Sequence, residues 1–73
     1  MKLYLISQSM NGDYDTYDSA VVAARDEDSA RLIYPGYDLR TWTAPEFVTV
    51  EYIGTAKPGT KAGTVICASF NAG

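Results

Sequence analysis

The chain has 73 residues, nine of them acidic and six basic, and 47% of the residues are hydrophobic. This length fits one domain, and the hydrophobic content is typical of a globular protein. The sequence contains one cysteine and no histidine, which excludes an internal disulfide and a cysteine–histidine catalytic pair. No apolar run approaches the roughly 20 residues that span a bilayer, and no signal peptide is apparent. We therefore expect a cytosolic protein that does not bind membranes.

Charge is distributed unevenly along the chain. The acidic residues concentrate between positions 13 and 28, where Arg25 is the only opposing charge, and after Glu51 the only charged side chains are Lys57 and Lys61. Direct binding to nucleic acid usually requires a basic patch, which this pattern lacks. An acidic surface can instead attract a basic partner.

The first third of the chain predicts a β-hairpin. Lys2–Ser9 alternates in the manner of a strand, and the Asn11-Gly12 pair is a strong turn signal, with a loop that extends to Thr16. Tyr17–Ala24 reads as the second strand, and its small and β-branched residues suit a buried position in a sheet.

A short helix follows the second strand. Asp26 is a favourable N-cap, and Glu27 and Asp28 place acidic groups in the first turn, where the helix dipole favours them. Pro35-Gly36 ends the helix, because proline disfavours helical geometry in the residue before it. We expect about two turns that depend on packing against the sheet.

The remaining chain predicts a connector over Gly36–Glu46, a strand over Phe47–Ile53, a loop over Gly54–Gly63 and a last strand over Thr64–Phe70. In the strand over Phe47–Ile53 the side chains alternate, with Val48, Val50 and Tyr52 on one face and Thr49 and Glu51 on the other. The order β-β-α-β-β gives an α+β fold of two layers, with one short helix on a four-stranded, mainly antiparallel sheet. A β-grasp-like sheet with parallel first and last strands fits the same order.

The short helix can cover only one face of this sheet, although the first two strands are apolar on both faces. We expect the second face to be covered either by the connector around Trp42 or by a second copy of the chain. A homo-oligomer is therefore predicted.

The segment Asp13–Asp18 is the strongest candidate for function. Tyrosine gives rigid contact area at low entropic cost and is frequent in protein-binding hot spots. We predict an interaction surface, while a solvated loop with its tyrosines folded onto the sheet is the simpler alternative. The predicted interaction residues are Asp13, Tyr14, Asp15, Tyr17, Asp18 and Trp42.

Other candidates for chemistry are weaker. Cys67 is expected to be a small buried side chain in the last strand. An oligomer that binds a nucleotide or signalling metabolite is the alternative function, with Trp42 for stacking and Lys57 or Lys61 for charge. No catalytic, metal-binding or cofactor motif is present in the sequence, so we expect a non-catalytic protein without a cofactor.

Two segments of the chain, Tyr17–Val22 and Ser69–Gly73, are the most distinctive. Together with Leu3–Gln8, Ala30-Arg31 followed by Pro35, Trp42 and Ile53–Ala56, they resemble a family of small, uncharacterised bacteriophage and prophage proteins. The resemblance covers most of the chain and defines no catalytic residues. It implies a bacterial host cytoplasm and a function in binding a host or phage protein, including a component of antiviral defence.

Overall fold

A computed structural model of the chain describes residues 1–12, 14–36 and 41–71. The predicted interaction residue Asp13 and part of the predicted connector lie outside the described residues. The elements, in chain order, are β1 (Lys2–Ser7), β2 (Thr16–Ala24), α1 (Glu27–Arg31), a 3₁₀ turn (Pro45–Phe47), β3 (Thr49–Thr55) and β4 (Val65–Asn71). This order confirms the predicted α+β fold, with one short helix and a four-stranded sheet.

The sheet has the order β3-β1-β2-β4, and all three strand pairs are antiparallel. The two halves of the β1–β2 hairpin form the centre, and β3 and β4 form the edges. The β-grasp alternative is therefore wrong, because β1 pairs with β2 and β3 and not with β4. Bulges interrupt the register of β1 with β3 and of β2 with β4.

Helix α1 begins where the sequence predicts but is shorter than expected. The carboxylate of Asp26 accepts a hydrogen bond from the backbone N–H of Ser29 at 2.7 Å. That backbone hydrogen bond is the main cause that lowers the pKa of the Asp26 carboxyl. The helix ends at Arg31, whose guanidinium donates to the carbonyl of Val48. This contact ties the helix to the chain just before β3.

The core lies on one face of the sheet. It contains Tyr4 and Ile6 of β1, three residues of β2, Ala30 of α1, and Trp42 and Val48 of the segment between α1 and β3. Trp42 is only 1% exposed. The described part of the connector around Trp42 therefore packs on the same face as the helix and does not cover the second face.

The second face of the sheet is partly open. Leu3, Leu5 and Val21 are half-buried there, and Val21 lies opposite Cys67 of β4. Cys67 is exposed, which corrects the prediction of a buried thiol. The physical reason is that β4 is an edge strand with nothing packed over this side of it in the described residues.

The third strand begins later than predicted. Pro45–Phe47 forms a 3₁₀ turn with proline at its start, a position that suits the fixed φ of proline and its missing N–H. Within β3 the predicted alternation is confirmed, because Val50 lies opposite Ile6 and Tyr52 lies opposite Tyr4. No helix in the described residues is long and apolar enough to cross a membrane.

Candidate recognition surface

Residues 14–18, called here the acidic-tyrosine loop, comprise the turn at 14–15 and the first three residues of β2, at the end of the β1–β2 hairpin. Tyr14 is 74% exposed, and the carboxylate-bearing residues Asp15 and Asp18 are also exposed. Of the predicted interaction residues, these three lie together on the surface. One aromatic ring and two negative charges are therefore available to a partner.

The buried side chain of Gln8 holds the base of this loop. Its amide nitrogen donates to the carbonyls of Asn11, at 2.9 Å, and of Tyr17, at 2.7 Å. Its amide oxygen accepts from the backbone N–H of Asn11 at 2.8 Å. One side chain thus satisfies three backbone groups on both arms of the hairpin and fixes their separation.

Distant segments also bind the loop and its flanks. The backbone N–H of Asp15 donates to the carbonyl of Asn71, and that of Tyr17 donates to the carbonyl of Thr41 at 2.8 Å. The Asn11 side chain donates to the carbonyl of Trp42 at 3.5 Å. The loop is therefore held from β4, from the connector and from within the hairpin.

Asp15 has a positive φ of 62°, in the left-handed region that most side chains avoid. Aspartate and asparagine tolerate this region better than other non-glycine residues. The aspartate at position 15 therefore tolerates the backbone conformation of the turn and also supplies a negative charge. Replacement by other residue types will strain the loop.

Tyr17 differs from Tyr14 because its ring is packed. The ring lies edge-on to Phe70, with centroids 4.8 Å apart, and it is packed against the core. Its half-buried position matches the alternative in which a tyrosine folds back onto the sheet. Tyr17 therefore supports the loop more than it extends the exposed surface.

Trp42 does not contribute to a surface in this structure. Its side chain is buried among the core residues, and its indole N–H has no hydrogen-bond partner among the described residues. A side chain so buried contacts a partner or ligand only if the fold opens. We therefore assign Trp42 a structural role and leave it out of the candidate surface.

The residues of the predicted ligand site are not brought together. Lys57 and Lys61 are exposed in the β3–β4 loop, whose base lies beside Met1 and Ala23 at the opposite end of the sheet from the acidic-tyrosine loop. Trp42 is buried elsewhere. The structure instead contains an open depression of about 450 Å³ lined by Lys2, Tyr4, Glu27 and Tyr52.

Sequence reasoning missed the residues that hold the acidic-tyrosine loop, of which Gln8 and Asn11 are the most important. A signal was present, because Gln8 is an amide side chain placed directly after an apolar strand and before the Asn-Gly turn. In the described residues, no three side chains of the metal-ligating types come together.

No protein-family model, curated protein or solved structure matches the chain.

Proposed function

We propose that this protein is a small, non-catalytic accessory protein that acts by binding another protein through the acidic-tyrosine loop. The observation that carries the proposal is an exposed tyrosine, Tyr14, beside two exposed carboxylates, Asp15 and Asp18, on a loop that a buried glutamine holds in place.

A held loop suits recognition for an energetic reason. Binding is weakened by the entropy lost when a mobile segment becomes ordered, so a segment ordered beforehand binds more tightly with the same contacts. Tyr14 has few rotatable bonds and offers both an apolar ring and a hydroxyl, which makes it a suitable anchor. Its support by Gln8 and Asn71 reduces the cost of ordering the loop on binding.

The charge of the loop indicates the chemistry of the partner. Asp15 and Asp18 are exposed carboxylates, and the whole chain carries a net charge of −3. Such a surface accelerates encounter with a positively charged partner and disfavours nucleic acid, whose phosphates it repels. We therefore propose a partner with lysine or arginine side chains around a shallow apolar pocket that accepts the Tyr14 ring.

The resemblance to bacteriophage and prophage proteins supplies the setting of the proposal. In that setting the protein acts in the cytoplasm of a bacterial host, and its partner is a host or phage protein. The first consequence of binding that we propose to test is the inhibition of an antiviral defence component.

The proposal is tested by affinity capture from host lysate, with and without phage infection, followed by measurement of the dissociation constant for the captured protein. We expect Tyr14→Ala to weaken binding by at least about tenfold, as for an anchor residue that contributes more than 1.4 kcal/mol. Asp15→Asn and Asp18→Asn should slow association and reduce its dependence on salt. Asparagine is chosen at position 15 because it tolerates positive φ.

Tyr52→Ala is the matched control, since it removes another well-exposed tyrosine. Tyr52 lies in β3, which flanks β1 on the side away from β2 and the acidic-tyrosine loop. The substitution should leave binding unchanged. The proposal fails if Tyr14→Ala and Tyr52→Ala weaken binding equally. It also fails if Tyr14→Ala reduces the free energy of unfolding by as much as it reduces the free energy of binding.

Small-ligand binding is a second candidate, favoured by the depression beside α1. Lys2 and Glu27 provide opposite charges there, and Tyr52 provides an aromatic wall, which suits a small ligand with both charges and a flat ring. A panel of aromatic amino acids and nucleotides should raise the melting temperature, and Tyr52→Ala should abolish the shift. An unchanged melting temperature across the panel would remove this candidate.

A further inference from the structure

The two edges of the sheet differ in chemistry. Each carries a bulge in its pairing with the neighbouring strand, but β3 contains Glu51 and packs against α1. β4 contains no charged residue, and six of its seven residues are exposed. Proteins usually protect an exposed edge with charge, proline, a bulge or a covering element. In the described residues β4 has only the bulge, and a weakly protected edge pairs readily with another strand.

We infer that β4 pairs antiparallel with β4 of a second copy of this chain, about a twofold axis that passes through Ala68. In this register Val65 lies opposite Asn71 of the second copy, and only this register pairs all seven residues of Val65–Asn71. The two four-stranded sheets then join into one continuous sheet.

The side chains of β4 are complementary in this register. Ile66 lies opposite Phe70 of the second copy, and the same pair recurs on the other side of the axis. These two side chains are 51% and 46% exposed in the single chain, which is unfavourable for apolar groups of their size. Direct cross-strand pairing brings such groups into contact.

Charge favours the antiparallel arrangement. Asn71 is bonded to Asp15, so the acidic-tyrosine loop lies at one end of β4. Lys61, in the loop that precedes Val65, lies at the other end. Antiparallel pairing therefore places the lysines of one copy beside the aspartates of the other, twice. Parallel pairing would place like charges together, and these exposed groups would repel.

The edge also suits a second copy better than the open face does. At one end of that face lie Ser7 and, opposite it, Ser19 and Thr49, and the larger apolar side chains there are already half-buried. The inference goes beyond the proposed function, because the β4 contact does not require Tyr14. A dimer would present two acidic-tyrosine loops to a partner.

The test is the oligomeric state of the purified chain, measured by sedimentation velocity over a wide concentration range. We expect a monomer–dimer equilibrium. Ala68→Arg places two guanidinium groups on the axis and should raise the dissociation constant at least about tenfold, equivalent to 1.4 kcal/mol. Thr49→Arg is the matched control, an exposed residue on the edge strand β3, and should have no effect.

A disulfide tests the register. Directly opposed residues in an antiparallel pair have Cα atoms about 4.5–5.5 Å apart, within the range that a disulfide spans. In a Cys67→Ser background, Ala68→Cys should therefore form a covalent dimer on mild oxidation, whereas Thr49→Cys should not. Lys61→Glu should weaken the dimer, most strongly at low salt.

A chain that remains monomeric at the highest concentration would overturn the inference. So would a dimer that Thr49→Arg disrupts and Ala68→Arg does not. Tyr14→Ala separates this inference from the proposed function, because it should abolish partner binding and leave the dimer intact.

Discussion

The two loops at opposite ends of the sheet are held in different ways. The acidic-tyrosine loop and its flanks are bonded to Gln8, Thr41 and Asn71, which lie far apart in the sequence. In the β3–β4 loop, Thr60 and Thr64 donate their hydroxyls to the carbonyls of Lys57 and Lys61, three residues earlier. The acidic-tyrosine loop is therefore bonded to distant segments at Asp15 and Tyr17, whereas the β3–β4 loop is bonded to Met1 and Ala23 at its base and to its own turns beyond it. A fixed geometry is what recognition requires, so the comparison favours the first loop as the functional one.

The largest effect should come from Trp42→Ala, which removes a buried aromatic side chain from the core. Truncation of a buried aromatic residue costs about 3–5 kcal/mol of the free energy of unfolding, as much as a core of this size usually supplies. We expect loss of cooperative thermal unfolding, measured by circular dichroism. Phe47→Ala removes an exposed aromatic residue and should change little. A cooperative transition near the wild-type temperature would show that Trp42 is not central to the core.

Gln8→Met should loosen one loop selectively. The substitution keeps the length of the side chain and removes its three hydrogen bonds to backbone groups of Asn11 and Tyr17, at a cost of about 1–3 kcal/mol. Amide hydrogen exchange should accelerate at Asn11, whose N–H donates to the Gln8 side chain, and partner binding should weaken although Tyr14 is intact. Unchanged exchange at this amide would show that Gln8 does not hold the loop.

Gly36→Ala tests the packing under Tyr17. A Cβ atom at Gly36 would lie 2.3 Å from the Thr41 hydroxyl oxygen and 2.9 Å from the Tyr17 ring, so the neighbours must move, at a cost of about 1–3 kcal/mol. Gly12→Ala is the matched control, because no atom of the described residues, apart from its chain neighbours, lies within 4 Å of its Cβ position. Chemical denaturation should separate the two variants, and equal free energies of unfolding would contradict the packing described here.

Thr64→Val should have the smallest effect. It removes one exposed hydroxyl bond within the β3–β4 loop, and the free energy of unfolding should fall by less than about 1 kcal/mol. Partner binding should not change. A loss comparable to that of Gln8→Met would mean that the two loops contribute alike, and the contrast between them would disappear.

The sequence predicted the local features of the fold well. The N-cap at Asp26, the hairpin around Asn11-Gly12 and the alternation in β3 each depend on neighbouring residues, and the structure confirms them. The exposure of Tyr14 also agrees with the predicted surface.

Features that depend on strand order were not predictable in the same way. The buried position of Trp42 was missed because it lies in an irregular segment without periodicity. The exposure of Cys67 was missed because edge and central strands can have the same composition. The support by Gln8 depends on the distance between the two arms of the hairpin, which the turn signal alone does not give.

Amide hydrogen exchange of the free protein, followed residue by residue by NMR, tests the central claim most directly. If the acidic-tyrosine loop is held before any partner binds, the amides of Asp15 and of nearby Asn11 should exchange nearly as slowly as those of β1 and β2. The amides of Thr60 and Thr64 should exchange much faster. Fast exchange of both loops at similar rates would contradict the claim, because the surface would then be ordered only on binding.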